Sequence, residues 1–126
     1  MLLLVLSCCL AACRKNPYRD GADLYKHACA SCHLENGRGL GALIPPLSGS
    51  DFLVKNRDQL PCILRHGLAD TIQVNGVQYA EKMEGVKGLS DIQITNVLNY
   101  VQTNWGNRNP VYSLEEVRQL LDRCPK

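Results

Sequence analysis

Apolar residues recur along this chain mostly at the three- and four-residue spacing of helices, and glycine, proline and asparagine set off the exceptions. Asp20 and Asp23 open a first helix, from Gly21 to about Ser31, with Leu24, Tyr25, Ala28, Cys29 and Cys32 at helical intervals. Gly37, Gly39 and Gly41, then Pro45 and Pro46, predict a loop through which neither helix nor strand propagates. Ser50 caps a short helical turn through Asn56. Asp58 opens another helix with Leu60, Ile63 and Leu64 on one face; Pro61 is tolerated in its first turn and Gly67 ends it. Ile72, Val74, Val77 and Tyr79 alternate around Asn75-Gly76, which predicts a hairpin with arms too short to stand alone. Ser90 and Gln93 form a capping box for a helix whose stripe is Ile94, Val97, Leu98, Val101 and Trp105, ending at Gly106. After a link from Asn107 to Pro110, Ser113 and Glu116 repeat the box, and Leu114, Val117, Leu121 and Cys124 face one way. The pattern is that of one small all-α domain.

The amino terminus follows a different rule. Eleven of the residues Met1 to Ala12 are hydrophobic and none is charged, yet the run is shorter than the ~20 residues a spanning helix needs. It reads as the apolar region of an export signal, residues 1–12. Leu10-Ala11-Ala12-Cys13 resembles the lipobox of bacterial lipoproteins, which implies Cys13 as the lipidated first residue of the mature chain. Residues 13–19 then form a short linker, whose Arg14, Lys15 and Arg19 suit anionic headgroups. Lipid at Cys13 implies an anchor in the bilayer on the periplasmic side of a bacterial membrane.

Composition narrows what the chain can do. At 126 residues it is too short for a Rossmann or TIM-barrel core, and a net charge of +2 gives no case for nucleic-acid binding. Seven cysteines are the anomaly: too few for a dense disulfide scaffold, and too many for an ordinary reduced protein.

Cys29-Ala30-Ser31-Cys32-His33 carries the chemistry. Two thiols three residues apart near a helix end point the same way and can bond both vinyl groups on one edge of a haem, while the next residue offers its imidazole to the iron. Zinc is the main rival, but no second C-x-x-C or H-x-x-x-H supplies its further ligands, and no βαβ pattern supports a thioredoxin-like pair. A second axial ligand must come from elsewhere. Met83 is the one methionine left after the signal, in a polar stretch with no apolar face to fill; His66 and His27 compete with it.

Together these residues resemble class I, monohaem cytochromes c, in a lipoprotein form. The resemblance runs from Asp20 to Asn107. It rests on Gly21 and Tyr25, the Cys29–His33 motif, Gly37 and Gly39, Ile44-Pro45-Pro46-Leu47-Ser48-Gly49, Val74-Asn75-Gly76, Met83, Leu89-Ser90-Asp91, and Tyr100 through Trp105-Gly106-Asn107. It implies an all-α fold in which helices wrap one covalent haem c, with thioethers from Cys29 and Cys32 and the iron held by His33 and Met83. It also implies that the Pro45 carbonyl accepts the other imidazole N–H, and that Gly21 and Tyr100 pack where the terminal helices cross. Arg38, Arg57 and Tyr79 are candidates to meet a haem propionate.

The chain departs from the family in its ending. The haem domain spans 20–107, and residues 108–126 add a helical extension carrying Cys124. With Cys8 and Cys9 in the signal, Cys62 and Cys124 remain unassigned, and the expectation is a disulfide clasping the extension to the domain. The implied function is a lipid-anchored electron carrier between membrane-bound respiratory redox proteins, with no small-molecule substrate, no nucleic acid and no catalytic constellation. A haem c subunit of a larger oxidase, reductase or dehydrogenase complex is the alternative, and a haem-based ligand sensor a third.

Overall fold

A computed structural model describes residues 19–125; the expected signal, the expected lipidation site Cys13 and most of the linker lie outside them. Among the described residues six helices carry the fold: α1 (Arg19–Ala28), α2 (Ala30–His33), α3 (Asp51–Lys55), α4 (Leu60–His66), α5 (Asp91–Thr103) and α6 (Leu114–Asp122), with a 3₁₀ turn at Arg57–Gln59. Four strands of two or three residues, β1 (Gly67–Leu68), β2 (Ile72–Val74), β3 (Val77–Tyr79) and β4 (Met83–Glu84), make two small antiparallel pairs, β2 with β3 and β1 with β4.

The crossing of α1 and α5 organises the core. Gly21 is buried there because a β-carbon would collide with the Asn96 carbonyl and reach 3.0 Å from Tyr100 Cβ, so only glycine lets the two backbones approach. Behind it the rings of Tyr25, Tyr100 and Trp105 pack with centroids 4.9–5.5 Å apart. The capping box at Ser90 and Gln93 closes both hydrogen bonds and starts α5; its stripe Ile94, Val97, Leu98 and Val101 is buried.

Three sequence expectations need correction. The first helix ends at Ala28 rather than near Ser31: Cys29 leaves helical geometry at φ −124°, and a separate short helix, α2, carries the chain on to His33. Trp105 is not on the α5 stripe: the helix ends at Thr103, Asn104 turns extended, and Trp105 adopts φ 51°, which swings its ring back onto Tyr25. At α6 the Ser113 hydroxyl accepts the Glu116 amide, but the Glu116 carboxylate goes to Arg57 instead of returning to the cap, and Leu120 joins Val117 on the buried face.

The extension shares the core of the haem-domain segment. Tyr112, Val117 and Leu120 belong to the same cluster as Tyr25 and Ile94. Asn99, buried in mid-helix, donates to the Tyr112 carbonyl (3.0 Å) and accepts its amide (2.7 Å). Arg57 lies 3.8 Å over the Tyr112 ring, donates to the Val111 carbonyl and pairs with Glu116. Cys62 and Cys124 are disulfide-bonded across 5.6 Å between α-carbons, tying the end of α6 to α4. The Arg57 hydrogen bond holds the Glu116 carboxyl below its usual range, so its contribution is present above the unfolded carboxylate pKa and lost as pH falls through the lower folded one. Glu116→Gln should therefore flatten the fall in stability between about pH 5 and pH 3, as read by urea unfolding across that window; an unchanged slope counts against the pair.

Candidate functional site

A cavity opens between the α1–α2 segment and the β-paired loops. Its outer cleft, about 520 Å³, is bordered by Ala28, Cys29, Cys32, Tyr79 and Lys82, and its inner chamber, about 100 Å³, by Leu53, Leu60, Leu64, Val97 and Leu98. Cys29, His33, Pro45, Leu68, Ile72 and Met83 line both. The walls of the inner chamber are almost wholly carbon, and a flat apolar group is what they can solvate.

Helix geometry brings Cys29, Cys32 and His33 to this wall from one short stretch, α2 and the residue before it. Cys29 is half-buried and Cys32 exposed, and both are free thiols. Burial, then the neighbouring Cys32, pushes the Cys29 thiol up to about 11, the reverse of the depressed value that activates a thioredoxin-like pair. Among the described residues no three His, Cys, Asp or Glu side chains converge as metal donors, which is the gathering a zinc cage needs.

His33 is buried and its Nδ1 lies 3.1 Å from the Pro45 carbonyl oxygen. A carbonyl can only accept, so Nδ1 carries the proton and Nε2 keeps its lone pair. Burial holds the imidazole pKa below its usual value, against the opposing pull of that hydrogen bond, and the neutral form is the one that ligates. Pro45 is itself held in place from several sides. The Leu47 and Ser48 amides donate to the Gly37 carbonyl at 2.7 and 2.9 Å. Asn107 donates to the Leu47 and Val101 carbonyls and accepts the Gly49 amide, so one side chain pins this loop to the end of α5. Gly39 sits at φ 68°, and a β-carbon there would meet the Ile44 carbonyl and lie 2.6 Å from that of Pro45. Gly39→Ala should cost about 1–3 kcal/mol in urea unfolding; a neutral result would mean the loop yields freely.

Met83 arrives from β4, opposite Leu68 of β1. Of the three residues weighed as a second axial ligand, the cavity takes Met83 alone. His66 is exposed and lines neither chamber, and His27 is exposed with its Nδ1 2.7 Å from the Asp23 carbonyl. Among the propionate candidates, Tyr79 borders the outer cleft, Arg38 is exposed and lines neither chamber, and Arg57 is engaged by Glu116 and Val111. Two adjacent thiols, an imidazole with a free Nε2, a thioether and apolar walls fit a c-type haem. Sequence reasoning missed Asn107 as the pin of the Pro45 loop and the β1–β4 pairing behind Met83. A two-residue strand leaves no periodic signal.

Residues 18–105 match the protein family described as Cytochrome c. A cytochrome c-552 of Thermus thermophilus is 37% identical over 110 residues, covering 80% of this chain and 83% of that protein. The cytochrome c subunit of a quinone alcohol dehydrogenase from Gluconacetobacter polyoxogenes is 38% identical over 105 residues, and a fructose dehydrogenase cytochrome subunit from Gluconobacter japonicus 30%. These alignments cover 81% and 80% of this chain but only 22% of each subunit.

Proposed function

We propose, from the premise that this chain belongs to the cytochrome c family, that it carries single electrons between membrane-bound respiratory redox proteins, with its iron held by His33 and Met83. It is an electron carrier that binds haem c covalently, and that cofactor supplies an iron cycling between ferrous and ferric states. The chain's own residues do the rest. Cys29 and Cys32 fix the group by thioether bonds, so it is not lost on reduction or oxidation. Pro45 orients the His33 ring and raises its basicity. Met83, a soft thioether, favours the ferrous state and so raises the potential. With His33 and Met83 both holding the iron, the site would leave no place for substrate, which suits transfer of an electron.

One observation carries this reading: His33 and Met83, 50 positions apart in sequence, line the same cavity. The test is the ferric absorption spectrum of holoprotein purified from membranes. A methionine-to-iron charge-transfer band that disappears in Met83→Ala supports it; a wild-type spectrum without the band, together with carbon monoxide binding at neutral pH, supports the sensor instead.

The anchor belongs to the same proposal: Leu10-Ala11-Ala12-Cys13 directs cleavage and lipidation, and Cys13 holds the protein on the periplasmic face of a bacterial membrane. Mass spectrometry that finds Met1 retained or Cys13 unmodified in native protein overturns that part. A second reading, a fixed haem c subunit of a dehydrogenase complex, is favoured by the subunits of that kind among the relatives. Copurification of a dehydrogenase in mild detergent distinguishes it from a free shuttle.

A further inference from the structure

We infer that the disulfide between α4 and α6 positions Met83 in its ligating place, acting through α4 as a short rigid link. The inference rests on the reading of Met83 as the axial ligand.

The connection is continuous through backbone. Cys62 lies in the first turn of α4, bonded to Cys124 just beyond α6. The last turn of α4 passes directly into β1, and β1 pairs with β4, setting Leu68 opposite Met83 and Gly67 opposite Glu84. The next residues are bound to the helix itself: the Val86 amide donates to the Leu64 carbonyl at 2.8 Å. Arg65 donates to the Leu89 carbonyl and pairs with Asp91 at 2.8 Å, where α5 begins. From α6, Arg118 reaches the other Asp91 oxygen at 3.7 Å. The segment from Met83 to Asp91 is thus held at its start by the end of α4, and at its finish by one arginine from α4 and one from α6.

The joint has no slack. A β-carbon on Gly67 would strike the Met83 carbonyl and stand 2.8 Å from the Gly85 nitrogen. One on Gly85 would lie 2.5 Å from the Arg65 carbonyl oxygen and 2.7 Å from the His66 carbonyl carbon. Backbones in such contact move together. With only seven residues, α4 has no room to absorb a shift at Cys62 before it reaches Gly67. The same helix places Ile63 and Leu64 in the inner chamber, so tilting it also alters the wall facing the cavity. The clasp restrains the end of the helix remote from Met83, and the β1–β4 ladder carries that restraint to the sulfur.

The test compares ferric holoproteins of wild type, Cys62→Ala/Cys124→Ala and Gly85→Ala. Cysteine replacement is used because a chemical reductant would also reduce the iron. The readouts are the methionine charge-transfer band, the reduction potential and the affinity for imidazole, which competes with the sixth ligand. Both variants should show a weaker band, a lower potential and imidazole binding about two- to thirtyfold tighter than wild type. A clasp that only stabilises the fold would lower the melting temperature and leave these three unchanged. That result in a folded double mutant overturns the inference, and so does Gly85→Ala with a wild-type band and imidazole affinity, which holds even where the double mutant fails to fold. Met83→Ala separates the two readings: a band that survives it removes Met83 as the ligand, whatever the clasp variants do.

Discussion

Replacement of both Cys29 and Cys32 by alanine is expected to leave a chain without a cooperative thermal transition. The reason lies in where the core points. Of the eleven buried residues in the main apolar cluster, Leu53, Leu60, Leu64, Val97, Leu98 and Val101 line the inner chamber. These six depend on what fills the cavity for much of their packing. At about 24 cal/mol per Å³, leaving only the 100 Å³ chamber dry costs about 2 kcal/mol, and the 520 Å³ cleft adds hydrated apolar wall. A domain of this size has only about 5–15 kcal/mol in total. The thioethers make the cofactor a permanent part of that core, so losing them converts a bonded filling into a dissociable one. Calorimetry of the double variant checks this; a sharp endotherm, with helix content like that of the holoprotein, would show that the polypeptide packs by itself.

The second large effect is expected at the other pair of cysteines. Without the Cys62–Cys124 bond, at a sequence separation of 62, the unfolded chain regains freedom worth about 4 kcal/mol by the chain-entropy relation. Little else compensates in α6. It has nine residues, fewer than the 12–15 or so that an isolated helix needs, and only Val117 and Leu120 are fully buried in it. The pair between Arg57 and Glu116 is partly exposed and adds about 1 kcal/mol at most. Urea unfolding of the Cys62→Ala/Cys124→Ala holoprotein should show the loss in its midpoint. A change under about 1 kcal/mol would mean that Tyr112, Asn99 and the α6 face hold the extension unaided.

Legibility in the sequence followed the length and chemistry of each signal. The α5 capping box and stripe, the Asn75-Gly76 hairpin and the Gly67 stop were readable because each is a local rule satisfied within a few residues. The Cys29–His33 motif was readable because covalent chemistry dictates its spacing. Trp105 misled because it continues the α5 period while Asn104 and Gly106 beside it favour a turn, and aromatic packing on Tyr25 decided the outcome. The role of Arg57 was hidden because its partners Val111 and Glu116 lie more than fifty residues away, beyond any local pattern. Gly39 and Asn107 had a family likeness but no stated task. Their work is done between loops, where a missing β-carbon and a three-way amide fix the Pro45 carbonyl.

The pairing of Asn99 with Tyr112 makes the seat of the extension depend on α5. A side-chain amide in mid-helix offers the tail one donor and one acceptor, as a strand edge would, but only once α5 is wound. Four cysteines at 29, 32, 62 and 124 allow six single bonds, and five of those would consume a thiol of the attachment motif. By holding Tyr112 against α5, Asn99 sets the tail on the side of the domain where Cys124 meets Cys62, the single bond that leaves both attachment thiols free for the cofactor.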